Sequence, residues 1–298
     1  MKLTIYHTND IHSHLNEYAR IQSYLTEHRS KLQHPSLYLD IGDHVDLSAP
    51  ITQATLGKKN IELLNEAKCD IATIGNNEGM TISHEALQNL YINAQFEVIC
   101  ANVFDEEGRL PNRIASSYIK EIDGVRILFV AATAPFTPFY RALDWVVTNP
   151  LESIKDEIKA NDGQYDVLIV MSHVGVFFDE KLCQEIPEID LILGSHTHHH
   201  FDHGQMNNGV LMAAAGKYGH YLGEVNLTIE NKSITRKTAC LHPLETLPEV
   251  QTNFDEEGKA MMRTPVVNHP LKLDNKTDVI TKTSYLLAES VYEFTNAD

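Results

Sequence analysis

The chain has 298 residues, 43% hydrophobic and 22% charged, which is enough apolar material for one large domain or for one domain and part of another. Its 24 basic and 41 acidic residues leave a formal charge of -17, a field that repels nucleic-acid backbones and anionic lipid. No apolar run approaches the roughly 18 residues that span a bilayer, so neither nucleic acid nor membrane is expected as a partner.

The opening MKLTIYHTND runs straight into an alternating strand, without an apolar leader or a small-residue cleavage site, and reads as having no signal peptide. LNEYARIQSYLTEHR follows with helical spacing at Leu15, Ala19, Ile21 and Leu25. SLYLDIGD is a second short strand that ends on acid and glycine, GKKNIELLNEAKCD a helix, and IATIGNNE the next strand. SHEALQNLYINA is helical with Ser83 as N-cap, and FEVICANV is a further strand. YIKEIDGVRILFVAAT reads as two strands joined by Asp123-Gly124, a strong two-residue hairpin signal. PLESIKDEIKA opens a helix on Pro150. YDVLIVMSHVG and IDLILGSHTH are apolar runs that each end in Ser-His, and VLMAAAGKYGHYLGEVNLTIENKSI supplies the last strands.

Strands alternating with helices predict an α/β sheet fold, and the continuous apolar runs predict sheets covered on both faces. After about residue 245 the texture becomes acidic and proline-punctuated, like a linker, and TKTSYLLAESVYEFTNAD reads as one amphipathic helix. The four cysteines, Cys69, Cys100, Cys183 and Cys240, lie far apart with no CxxC and read as reduced residues of a cytoplasmic protein.

Five strand ends supply candidate ligands: Asp10 and His12; Asp43, with His44 beside it; Asn76; His173; and His196 with His198. In open α/β sheets chemistry sits beyond the carboxyl ends of strands, which is where these residues fall. Each piece alone is a weak signal, since Asp-x-His, Gly-Asp and Ser-His after a strand are usually turns or loops. All five in order are informative. Carboxylate, imidazole and amide oxygen together suit borderline divalent metals such as manganese, iron, zinc or nickel, and the lack of cysteine disfavours a structural zinc. Seven ligands exceed the need of one ion. Two ions roughly 3.5–4 Å apart, sharing one carboxylate, use them all and form a clamp for in-line attack on phosphorus. Asp10, His12, Asp43 and His198 would hold one ion, and Asp43, Asn76, His173 and His196 the other, with Asp43 bridging. HTHHHFDH lies mid-chain, so a purification tag is disfavoured, and His199, His200 and His203 read as solvated.

TNDIHSHL, DIGDHVD, GNNEG, SHVG and GSHTHHH resemble the five blocks of the calcineurin-like metallophosphoesterases, most closely the bacterial 5′-nucleotidases and related sugar-nucleotide and cyclic-nucleotide hydrolases. The resemblance covers about residues 1–245. It implies a four-layer α/β/β/α sandwich, the same dinuclear ligand set with manganese, zinc or iron, and a C-terminal substrate domain. On that basis residues 1–245 are the catalytic domain, 246–275 a linker, and 276–298 the start of a second, truncated domain that would complete the enzyme in cis. The family's third block reads Gly-Asn-His-Glu, with an aspartate three residues after the histidine. Here those positions are Asn77 and Met80. Losing a positioned acid or donor costs roughly 10²–10⁴-fold. Asn77 could give a neutral hydrogen bond, His84 or His44 could substitute, or the site could bind a phosphorylated ligand without fast turnover.

The expected activity is hydrolysis of a nucleotide phosphate by direct attack of metal-bound hydroxide. The alternatives are a cyclic-nucleotide or nucleotide-sugar phosphodiesterase and a slow or non-catalytic phosphate-ligand binding protein. Asp46 and Glu78 either orient histidines or are solvated loop acids. The loop APFTPFYRALDW either lines a substrate pocket, with Arg141 near phosphate, or packs its aromatic residues into the core.

Overall fold

The computed structural model describes residues 1–263, 284–285 and 287–289. The first strands are β1 Lys2–Thr8, β2 Ser36–Asp40, β3 Ile71–Thr73, β4 Glu97–Ile99, β5 Val103–Asp105, β6 Ile114–Ala115, β7 Ser117–Ile122 and β8 Val125–Thr133. They are followed by β9 Trp145–Val147, β10 Val167–His173, β11 Leu191–Gly194, β12 Gln205–Asn207, β13 Val210–Ala213, β14 Tyr221–Glu230 and β15 Ser233–Pro243. The helices are α1 Leu15–Arg29, α2 Pro50–Thr55, α3 Lys58–Glu66, α4 Asn76–Met80, α5 His84–Leu90, α6 Thr137–Arg141, α7 Pro150–Ala160, α8 Val176–Glu185 and α9 Phe254–Met262.

Two sheets carry the fold. One has the order β15-β14-β1-β2-β3-β4-β6 and the other β12-β13-β11-β10-β8-β7. β1, β2, β3 and β4 run parallel, as do β8, β10, β11 and β13, while β14, β15, β7 and β12 pair antiparallel. Strand alternation sends side chains to both faces, and both faces are buried. Leu3, Ile5 and Leu39 of the first sheet meet Phe129, Ile169 and Leu193 of the second in a core between the sheets. Tyr6 and Tyr38 face the other way, into a core with Leu15, Tyr18 and Leu25 of α1 and Leu64 of α3. Leu128, Val130 and Val170 leave the second sheet outward to meet Ile154 of α7 and Leu182 of α8. Three cores between helix, sheet, sheet and helix make the four-layer α/β/β/α sandwich that the sequence resemblance implied.

Local chemistry sets the element ends. Ser83 Oγ accepts from Ala86 N at the start of α5, and Asn149 Oδ1 accepts from Leu151 N and Glu152 N at the start of α7. Such caps contribute about 1 kcal/mol each. Asp123 and Gly124 both take positive φ, 50° and 76°, as a two-residue turn between β7 and β8 requires.

Two expectations need correction. FEVICANV is two strands, β4 and β5, in different sheets, because Asn102 between them bonds the backbone of Thr133 and Thr148 instead of continuing a ladder. The stretch expected as linker is partly structured. Arg20 holds the carbonyls of Leu247 and Pro248, Phe254 packs on the α1–α3 core, and α9 buries Gly258 against Pro50 and Ile51. The expected terminal helix lies mostly outside the described residues; 284–285 and 287–289 are helical and exposed. No described helix is long and apolar enough to cross a membrane.

Candidate metal centre

The five predicted blocks all follow the carboxyl ends of parallel strands: β1, β2 and β3 of one sheet, and β10 and β11 of the other. Backbone hydrogen bonds tie the first two loops together beyond their strands. Asp10 N donates to Gly42 O at 3.0 Å, His12 N to Asp43 O at 2.8 Å, and Ser13 N to His44 O at 3.1 Å. Gly75 lies against Asp43 and His173, so closely that a β-carbon there would collide with both. Five of the seven predicted ligands hold left-handed backbone: Asp10, His12, Asp43, His196 and His198, with φ between 48° and 71°. Non-glycine residues rarely accept that strain, and it gathers where a side chain must be aimed.

The aiming is visible atom by atom. Asp10 Oδ2 accepts from Asn9 Nδ2 at 2.8 Å, Ser195 Oγ at 2.7 Å and His196 N at 3.1 Å. Its other oxygen, Oδ1, faces the Nε2 atoms of His12 at 3.7 Å, His173 at 3.9 Å and His198 at 3.6 Å. Asp43 Oδ2 lies 3.2 Å from His173 Nε2 and 3.7 Å from His12 Nε2. His173 Nδ1 donates to Ile41 O at 2.7 Å, and His12 Nδ1 donates to Asp46 Oδ2 at 2.9 Å. Pinning Nδ1 to an acceptor turns each Nε2 toward the carboxylates, the arrangement that orients imidazole for a metal.

Two groups of donor atoms lie within 4.8 Å of one another: Asp10, His12 and His198, and Asp10, Asp43 and His173. The His196 ring adjoins that of His173 at 5.5 Å. Asp10 Oδ1, Asn76 Oδ1 and His173 Nε2 are buried with no hydrogen-bond partner. Buried polar atoms almost always have one, and a cation would supply it here. Hard carboxylate and amide oxygens with imidazole nitrogens, all without hydrogen-bond partners or facing one another, fit a divalent ion.

Electrostatics agree. Burial would raise the Asp10 carboxyl, but the facing His12 ring, the nearby His173 charge and the Asn9 and Ser195 hydrogen bonds hold it well below the usual range. Burial opposes charge on His12 and His173, yet the facing carboxylates outweigh it and push both up to about 10. In effect, protons sit where the carboxylates demand positive charge. Burial, together with neighbouring histidines, lowers His196 and His198, which are thus neutral and ready to donate a lone pair.

Asn77 points into the same centre. Its backbone N donates to Asp43 Oδ1 at 2.7 Å and its Nδ2 to Asp43 Oδ2 at 2.9 Å. Neither surrogate histidine is brought there. His84 stacks on the Trp145 indole at 3.9 Å, and its two nitrogens meet Leu143 O and Gln88 Nε2. His44 bonds Asp40 through Nδ1 at 3.2 Å and turns its ring edge to Tyr18 in the core. Arg141 is exposed at the end of α6.

The aromatic loop divides its fate: Tyr140 and Trp145 are buried, while Phe136 and Phe139 are exposed, with the Phe136 ring 5.5 Å from that of His196. Asp46 orients His12, but Glu78 orients no histidine. Its carboxylate accepts from the backbone N of Asp43, Val45 and Gly75 and so clamps the two loops together. Burial, with Asp43 nearby, raises Glu78 to about 8. Of the three trailing histidines, His200 and His203 are exposed, but His199 is half-buried, its Nδ1 2.8 Å from Thr197 Oγ1.

Sequence reasoning passed over three contributors. Asn9 and Ser195 saturate Asp10 Oδ2, and both sit inside the quoted motifs, one residue before a predicted ligand. Tyr218 lies beside His12 and His198, at ring distances of 5.6 and 6.3 Å, stacks on His14 at 4.1 Å, and bonds Asp10 O through its backbone N. No local pattern flags it.

Comparison with known proteins places this geometry. Over 246 residues the chain is 46% identical to the uncharacterized metallophosphoesterase YunD of Bacillus subtilis, covering 80% of this chain and 53% of YunD. It is 27% identical over 272 residues to the trifunctional nucleotide phosphoesterase protein YfkN of Bacillus subtilis, covering 78% of this chain and 18% of that protein. The chain thus spans about half the length of YunD and less of YfkN. The fold superposes on a 5′-nucleotidase precursor from Thermus thermophilus with a TM-score of 0.74 at 23% identity, covering 88% of this chain and 58% of that one. The family model for calcineurin-like phosphoesterases matches residues 3–200, and the chain belongs to that family.

Proposed function

We propose that the chain hydrolyses a phosphomonoester of a nucleotide at a centre of two divalent ions. The carrying observation is the convergence of two buried carboxylates and the Nε2 atoms of His12, His173 and His198, with Asp10 Oδ1, Asn76 Oδ1 and His173 Nε2 buried without a hydrogen-bond partner. Asp10, His12, Asp43 and His198 would hold one ion, and Asp43, Asn76, His173 and His196 the other. When bound, such a pair supplies Lewis acidity at phosphate oxygens and lowers the pKa of a coordinated water.

The chain's own groups do the rest. Asp43, with an oxygen between His12 and His173, is the shared carboxylate. Asn77 Nδ2 is a neutral donor beside Asp43 Oδ2 and His12, and in this reading it bonds a non-bridging phosphate oxygen as charge shifts. Glu78 fixes the loops that carry Asp43 and Asn76. Phe136 and Phe139 put exposed aromatic surface at the rim, suited to an aromatic base. YfkN is described as a nucleotide phosphoesterase, which supports the same substrate class.

A panel of AMP, a UDP-sugar, 2′,3′-cyclic AMP and bis-p-nitrophenyl phosphate tests the reading with manganese-loaded protein. AMP is expected to turn over fastest. Preference for the diesters would make the protein a phosphodiesterase, the reading that extends the sugar-nucleotide and cyclic-nucleotide resemblance. Tight AMP binding without turnover would make it a ligand-binding protein, the reading that Asn77 in the histidine position favours.

Metal loading should also be pH-linked. His12 and His173, pushed up to about 10, both carry protons at neutral pH in the metal-free chain. Loading displaces them and releases about two protons, so the overall affinity falls by about a hundredfold for each pH unit lost. Calorimetry in buffers of different ionisation enthalpy reads that release directly. A heat independent of buffer would contradict it.

A further inference from the structure

Away from that centre, a second set of side chains gathers metal-ligating atoms. Glu224, Cys240 and His242 each offer one, and the three lie within 4.8 Å of one another. The register of β14 and β15 sets Glu224 opposite Cys240 and Leu222 opposite His242. Alternation then puts all three on one face, the face where Leu222 enters the core beneath α1. None of them is solvent-flooded; all are half-buried.

The hydrogen bonding holds the imidazole beside the carboxylate. His242 Nδ1 lies 3.4 Å from the Tyr24 hydroxyl of α1, and Nε2 lies 2.8 Å from Glu224 Oε2. Either ring nitrogen can carry the proton; when Nδ1–H donates to the tyrosine oxygen, the Nε2 lone pair faces the carboxylate, and a cation can take the place of the proton between them. The Cys240 sulfur completes the third side. Cys240 is also the one cysteine of the four that is not fully buried. Thiolate, imidazole and carboxylate is a donor set for zinc, whose bonds of roughly 2.0–2.3 Å bring such ligands within roughly 3.5 Å of one another. Small side-chain rotations cover that difference.

We propose that Glu224, Cys240 and His242 bind a zinc-type ion, distinct from the catalytic pair, that staples the edge strand β15 to β14 beneath α1. Three protein ligands leave the fourth corner to water. The reacting residues Asp10, Asp43 and Asn76 take no part.

Cobalt substitution tests this on the full 298-residue chain. The catalytic centre has no sulfur ligand, so a near-ultraviolet thiolate-to-cobalt band reports only the second site. The band should appear in the wild type and in Asp43→Asn, bleach when zinc is added, and vanish in Cys240→Ser and His242→Ala. No band in the wild type, or a band that survives Cys240→Ser, overturns the proposal. A readout that needs no variant is the reaction of Cys240 with an aromatic disulfide reagent: zinc should slow it by about tenfold or more. An unchanged rate at saturating zinc also overturns the proposal.

Discussion

Asp43→Asn is expected to remove turnover and at least one of the two bound ions together. Asp43 is nearly fully buried, and its two oxygens meet Asn77 N, Asn77 Nδ2, His173 Nε2 and His12 Nε2. Among the described residues, no other side chain faces an imidazole of each proposed set while also accepting from Asn77. Asparagine preserves the shape and tolerates the positive φ of 51° at this position, so the backbone need not move. It replaces one anionic oxygen with an NH₂ that repels a cation. The loss should be on the order of 10³-fold or more in kcat, because the reaction depends on charge the residue holds in place. Steady-state rates and metal content measured on the same sample check this. Full activity with two ions retained would remove Asp43 from its shared role.

The second large effect concerns Asn77. Asn77→Ala should lower kcat by on the order of 10-fold to 10²-fold with little change in KM, since a donor aimed at developing charge acts in the transition state. Metal content should stay whole, which separates this variant from Asp43→Asn. Asn77→His adds an acid where the family carries one. Its rate should gain a limb that falls as pH rises through the histidine pKa of about 6.5, the direction for a group that must be protonated to act. The wild type should lack that limb. If alanine leaves kcat untouched, Asn77 is only a prop for Asp43.

Much of this was legible in the chain itself, for a physical reason. Strands buried on both faces read as apolar runs, and their carboxyl ends read as abrupt polar blocks, so the ligand candidates stood out by position. What joins them was not legible. The parallel extension of the β1 and β2 loops, the contact of Gly75 with Asp43, and the turning of His173 by Ile41 O are backbone events with no composition signal. Several helices were hidden as well. α4 begins on Asn76 itself, its N3 residue Glu78 accepting from Gly75 N, so GNNEG reads as a turn while forming a helical start. α8 exposes Phe177 and buries Asp179, the reverse of the pattern that marks an amphipathic helix. His84 went astray because its partner, Trp145, is distant in the chain, and nothing local predicts that stack.

Asp10 complicates the picture in a useful way. It belongs to both donor groups, so geometry alone offers two carboxylates near the midline. Three hydrogen bonds saturate Asp10 Oδ2, which leaves it a single oxygen for metal. Asp43, whose Oδ2 lies nearer to His173 than any Asp10 oxygen does, is the better bridge.

Anomalous diffraction at the manganese edge, from a crystal of the manganese-loaded chain, decides between them. Two peaks with the Asp43 carboxylate between them, His12 on one and Asn76 on the other, are the predicted result. A single peak, or two peaks joined through Asp10 with Asp43 on only one, would contradict the account.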